Sequence, residues 1–215
     1  MRRWHYATLF MVAMIAVTVT AAAEIRVSEW KEVSGRAGIV GYTRMTSLTE
    51  VEEVKAVGVV EAPVAVIEAV IRDVEAEPQF MFKCTEAAEF NPPGLTVTDD
   101  IGYVYNRTSM PWPVNDRDVV VKSVLMVDTK TGTLYVRAHE VTADFPHAPS
   151  GLVRMPILRY IMIVSPLGES KSQVYYQVLA DPGGRLPKFL VNLFSKNMGV
   201  DTIAGLREMV KKEKY

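Results

Sequence analysis

The residues that could do chemistry are few and scattered. Tyr135, Arg137, His139 and Val141 alternate along "LYVRAHEVT", so on a strand they share one face. Facing inward, Arg137 and His139 would be polar groups in an apolar interior, and a buried arginine needs an anion or dipoles around it. Facing outward, they are simply solvated. Asp99-Asp100 is an acidic pair at a strand start, but neighbours on a strand point to opposite faces, which is poor placement for a dyad. Cys84 is the only cysteine, so no internal disulfide exists, and it reads as a small buried apolar residue. There is no G-x-S-x-G elbow, no H-E-x-x-H, no phosphate-binding glycine loop and no dinucleotide fingerprint. No Cys/His spacing suits a metal, and no cofactor is implied. Asn106-Arg107-Thr108 fits a glycosylation sequon, a pattern common by chance.

One stretch stands out, "SMPWPVNDRDVVVKSVLMVD". Pro111 and Pro113 flank Trp112, a charged triplet Asp116-Arg117-Asp118 follows, and an apolar strand comes next. The prolines lack N–H donors, so the corner cannot continue a sheet ladder and fixes the direction of the strand. Trp112 is expected to cap the apolar interior there. Arg117 is expected to act as a structural clamp, paired with Asp116, Asp118 or a partner elsewhere. By parity, Arg117, Val119, Val121, Ser123, Leu125 and Val127 form the better inward face, since Lys122 on the other face prefers water. Ser123 is then a polar point on an apolar wall, either a satisfied core serine or a ligand contact.

The elements that position these residues follow from periodicity. Ala37–Met45 and Val54–Glu61 read as strands. "APVAVIEAVIRDVEAEPQF" changes to helical spacing, with Pro63 at its start and Pro78 at its end. Strands follow: "KCTEAAEF", "TVTDDIGYVYNRTS", the stretch above, "LYVRAHEVT" after a turn at Lys130–Thr133, "LVRMPILRYIMIVSPL" and "SQVYYQVLA". Asp181-Pro182-Gly183-Gly184 stops the last strand, and one long helix fills Leu186–Lys212. Strands joined by short turns pair as an antiparallel meander, and the terminal helix is the element large enough to cover the sheet's apolar face. The fold class is α+β.

The first residues are different in kind. Arg2-Arg3, an uncharged apolar run and Ala21-Ala22-Ala23 have the order of a secretory signal, giving residues 1–23 as a signal peptide and 24–215 as the domain. The rival reading is an uncleaved anchor, because Trp4–Ala23 is almost long enough to span a membrane. Export would place the mature chain in the periplasm or outside the cell. With 24 basic and 25 acidic residues among 215, nucleic acid is not an expected partner. Eleven Met, nine Tyr and seven Phe can fill a core or line an adaptable pocket.

Three segments carry a family resemblance. "PWPVNDRDVV" is similar to the signature of the StAR-related lipid-transfer (START) domain, where a tryptophan–proline corner leads into an Arg-Asp pair and an apolar strand. "DPGGRLPKFLVN" resembles that family's turn from the last strand into a gating C-terminal helix, and "GIVGYTR" resembles its first strand. The order covers Trp30–Lys212. The resemblance implies a helix-grip fold, a curved antiparallel sheet around a long C-terminal helix, with an internal cavity for one lipid or similar apolar molecule. It implies a monomer that touches membranes transiently. The loop Thr142–Leu152 would gate against the terminal helix. Phe145 would plug the mouth, and Phe189, Leu193, Phe194 and Asn197 would touch ligand. Tyr103, Tyr105, Ser123, Arg137 and His139 complete the candidate ligand-binding set. In cholesterol-binding members an inward arginine stands where the alignment places Ser123. The wider superfamily also includes cyclases and hydrolases, and an enzyme built here would use Arg137, His139 and Tyr105.

Overall fold

The computed structural model describes residues 25–92, 94–141, 150–187, 189, 191, 192 and 196–215. Ten strands form one sheet. In chain order they are β1 Lys31–Arg36, β2 Ile39–Arg44, β3 Glu53–Val60, β4 Cys84–Glu89, β5 Ile101–Thr108, β6 Arg117–Asp128, β7 Thr133–Glu140, β8 Val153–Arg154, β9 Ile157–Pro166 and β10 Ser172–Asp181. The spatial order is β1-β2-β3-β10-β9-β7-β6-β5-β4, antiparallel throughout, with β8 lying parallel beside the start of β6. Alternation explains the strands. In β3, Val54, Ala56, Gly58 and Val60 face the core, while the intervening residues stay partly exposed.

Several boundaries differ from the sequence reading; the strand expected from Thr96, for one, starts only at Ile101. The expected strand Ala37–Met45 is the second arm of a hairpin. Ala37 and Gly38 both take positive φ, 50° and 75°, and form the two-residue turn that joins β1 to β2. The expected single strand from Leu152 to Leu167 is broken at Met155-Pro156, because Pro156 cannot donate to a ladder. The first helix, α1 Val64–Arg72, ends before Pro78. A 3₁₀ helix, Val74–Gln79, follows and carries Pro78 inside it.

The expected helix Leu186–Lys212 is also divided. Residues 189, 191 and 192 are helical, residues 196 and 197 form a turn, and α2 then runs Met198–Met209. Asn197 and Gly199 at this break are weak helix formers. The helix buries Val200, Ile203, Leu206 and Met209 against the sheet, and Ile67 and Val70 of α1 join the same core. This is the helix-grip architecture.

Close approach of α2 depends on absent side chains. A Cβ on Gly199 would lie 2.8 Å from the Ala56 Cβ, and one on Gly205 would lie 2.6 Å from the Phe80 backbone. Backbone cannot swing aside as a side chain can. Gly205→Ala is therefore expected to lower stability by about 1–3 kcal/mol, despite its better helix propensity. Urea unfolding monitored by circular dichroism reads this as a lower midpoint at unchanged slope.

Candidate functional site

Between sheet and helices lie two adjoining spaces. The first is narrow, with a cavity volume of about 70 Å³, and is walled by Met81, Met110, Met155, Leu158, Tyr176 and Val191 among others. The second, with a cavity volume of about 620 Å³, opens past Gly102, Ser123 and Leu125 toward Val97 and Arg72. Glu77 and Tyr160 border both.

The charged triplet closes one end of the first space, and each charge is answered. Arg117 is buried. Its Nε donates to the Pro182 carbonyl at 2.9 Å, its Nη2 to Gly183 at 3.1 Å, and its Nη1 to Asn115. It thus ties the start of β6 to the turn leaving β10. Gly183 and Gly184 fit this turn with φ of 64° and 74°, and a Cβ on Gly183 would strike Pro156 at 2.8 Å. Asp118, wholly buried, takes both arms of Arg154 at 3.0 and 2.8 Å. Asp116 takes Arg107 at 2.6 Å and the Met110 amide at 3.0 Å. That amide first, and then Arg107, hold the Asp116 carboxyl below its usual range.

Trp112 does not cap the interior. It is 93% exposed, at the tip of the corner whose Trp112–Pro113 bond is cis. Asp116 and Arg117 already hold the corner by hydrogen bonds, so the ring has no structural place to fill.

The candidate ligand residues separate by face. Ser123 lies on the inward face as parity predicts, buried at the border of the second space, which Tyr160 also lines. Arg137 and His139 are exposed on the outer face of β7, because Leu134, Val136 and Ala138 occupy the inner one. They do not line either space. Tyr105 pairs in register with Val120, opposite in facing to Asn106, and sits near Asp118 and Arg154 outside the cavity. Tyr103 shares that strand parity yet is buried and borders the second space. Phe189 is 73% exposed, and Asn197 is exposed at the N-cap of α2. Phe145, Leu193, Phe194 and nearly all of the loop Thr142–Leu152 lie outside the described residues, as does the segment 1–23.

The sequence reading missed Glu77. It is 8% exposed within the 3₁₀ helix, and Asn106 Nδ2 donates to its Oε2 at 2.5 Å. The same amide reaches Cys84 Sγ at 3.9 Å. Asn106 therefore faces inward, and its sequon is not displayed on the surface. Burial pushes the Glu77 carboxyl up to about 7, against the pull of Asn106. Burial also pushes the Cys84 thiol up to about 12, with Glu77 adding to the effect, so Cys84 is no thiolate nucleophile. Tyr160 and Tyr176 face the same carboxyl and are raised by burial. The missed signal was one acid in "VEAEPQF" at a helical position meant for the core. Among the described residues no group of His, Cys, Asp and Glu could hold a metal.

A sheet wrapped on a helix around a hollow, with one answered polar wall, defines a cavity-binding protein of the helix-grip kind. The START domain family model matches residues 16–214, and the chain belongs to that family. An uncharacterized protein of Pseudomonas aeruginosa is 30% identical over 207 residues, covering 95% of this chain and 96% of its own. Phosphatidylcholine transfer protein of Rattus norvegicus is 25% identical over 188 residues, covering 86% and 83%. The crystal structure of a STAR-related lipid transfer protein fragment from Xanthomonas axonopodis superposes with a TM-score of 0.74 at 27% identity, covering 85% of this chain and 99% of that one.

The buried acid gives a pH signature with a definite sign. Unfolded, Glu77 titrates near 4.5; folded, near 7. Between these values the folded state holds a proton that the unfolded state has lost. Stability therefore falls as pH rises through this window and levels off above it. Glu77→Gln removes the effect. The stability gap between wild type and this variant should move by roughly 3 kcal/mol from pH 4.5 to 7.5, to the disadvantage of wild type. Paired urea titrations at the two pH values measure it, and a constant gap would contradict the buried-acid assignment.

Proposed function

We propose that the chain binds one lipid or comparable hydrophobic molecule in the cavity between sheet and helices, and carries it between membranes outside the cytoplasm. The carrying observation is the pair of adjoining spaces between sheet and helices, bordered by Met, Tyr and branched apolar side chains. Family membership and the lipid-transfer names of two relatives support the reading. Export rests on the sequence alone, on the basic start, apolar run and alanine triplet before Glu24.

Ligand must enter past a covering element, and the ladder hydrogen bonds of the sheet make it costly to open. The entrance is therefore proposed where the family resemblance implies a gate, between the loop Thr142–Leu152 and the terminal helix. An enzyme of the same superfamily would need a nucleophile and base in the cavity. Arg137, His139 and Tyr105 do not meet there, and Cys84 is held as thiol.

Ala180 of β10 lines the first space. Ala180→Phe should fill the hollow. Transfer of fluorescent phospholipid from donor to acceptor vesicles is expected to drop at least tenfold in a variant whose circular dichroism shows that it still folds. Wild-type protein that moves no lipid in this assay would overturn the carrier reading. In the source organism the chain is expected in the extracytoplasmic fraction, beginning at Glu24 by N-terminal sequencing, and a cytoplasmic chain retaining Met1 would overturn the export reading.

A further inference from the structure

The polar groups of the cavity are unevenly committed. The cations are spent on the protein. Arg117 donates to three main-chain carbonyls. Arg72, at the far edge of the second space, is held by Glu68, the Asp99 carbonyl and Asp100. The acceptors are not spent. Glu77 Oε2 receives Asn106, but no hydrogen bond among the described residues reaches its Oε1. Asn106 gives its amide N–H groups to Glu77 and Cys84, and its Oδ1 receives no donor among the described residues. Both residues line the first space, and Glu77 also borders the second, so these acceptors stand where the two meet.

We propose that Glu77 and Asn106 are the head-group anchor of the cavity, and that they select a lipid whose polar end presents N–H or O–H donors, an ammonium or a hydroxyl, over one ending in phosphate or carboxylate. The inference rests on the carrier reading above. A carboxylate enclosed by Met81, Tyr160 and Tyr176 is costly until a donor meets it. A hydroxyl or ammonium supplies that donor. An anionic end would instead put like charge beside Glu77 at low dielectric, with no uncommitted cation on the described wall to offset it. Two acceptors on adjacent side chains also suit a group with more than one donor hydrogen, which an ammonium has and a phosphate diester lacks.

The test uses the full chain and four pyrene-labelled C16 probes that differ only at the polar end: primary amine, alcohol, carboxylate and phosphate monoester. Each is offered in phosphatidylcholine vesicles at pH 8, and uptake is titrated. Wild type is expected to take the amine and the alcohol at least tenfold more tightly than the two anions. Glu77→Gln, near-isosteric, should weaken the amine at least tenfold while still taking the alcohol. Wild-type affinities within twofold for all four ends overturn the anchor, whether or not the variant folds. An unchanged ranking in a folded Glu77→Gln protein does so too. In both cases the cavity still fills, and the carrier reading stands. Failure of wild type to take any of the four overturns the carrier reading and the anchor together.

Discussion

A guanidinium buried under the end of the sheet holds this molecule in shape. Arg117 joins the first residue of β6 to the carbonyls of Pro182 and Gly183, where β10 stops and the chain turns toward its terminal helix. A buried arginine is tolerated only when its donors are used, and here main-chain carbonyls use them. Its two flanking aspartates are taken by Arg107 and Arg154, so no charge in the triplet is left to the cavity. The clamp sets the direction in which β6 leaves the proline corner and the position from which the helical segment crosses the sheet.

The same economy explains Glu77. An interior of Met, Val and Tyr side chains could have been sealed with one more apolar residue. Instead the 3₁₀ helix places an acid there, with Asn106 as its partner on β5. Burial raises its pKa to about 7, a standing cost at neutral pH that a filled core would not carry. Stability is thus given up at the junction of the two spaces, where a bound molecule would be recognised.

Much of the fold was legible in the sequence because period and punctuation are local. Alternating apolar residues marked β3, β6 and β10, and Gly132, with φ of 69°, marked the turn from β6 to β7. The inward placement of Ser123 followed from parity. Facing was less legible where both faces of a strand are buried or polar. The first half of β6 is buried on both sides, and β7 carries Tyr135, Arg137 and His139 outward although an aromatic and an arginine could equally have lined a pocket. Trp112 misled because aromatic size suggests burial, whereas the corner is held by Asp116 and Arg117 and leaves the ring in solvent. Glu77 was invisible because its importance lies in what surrounds it, and those neighbours come from β4, β5, β9 and β10.

The central claim is that the hollow is a binding site for one hydrophobic molecule per chain. Native mass spectrometry of the protein purified from its own source tests this most directly. The account predicts a discrete mass above that of the polypeptide, one equivalent per chain, lost on unfolding and recovered as an organic-soluble compound. Bare polypeptide mass, unchanged after incubation with vesicles of the source membrane lipids, would contradict it.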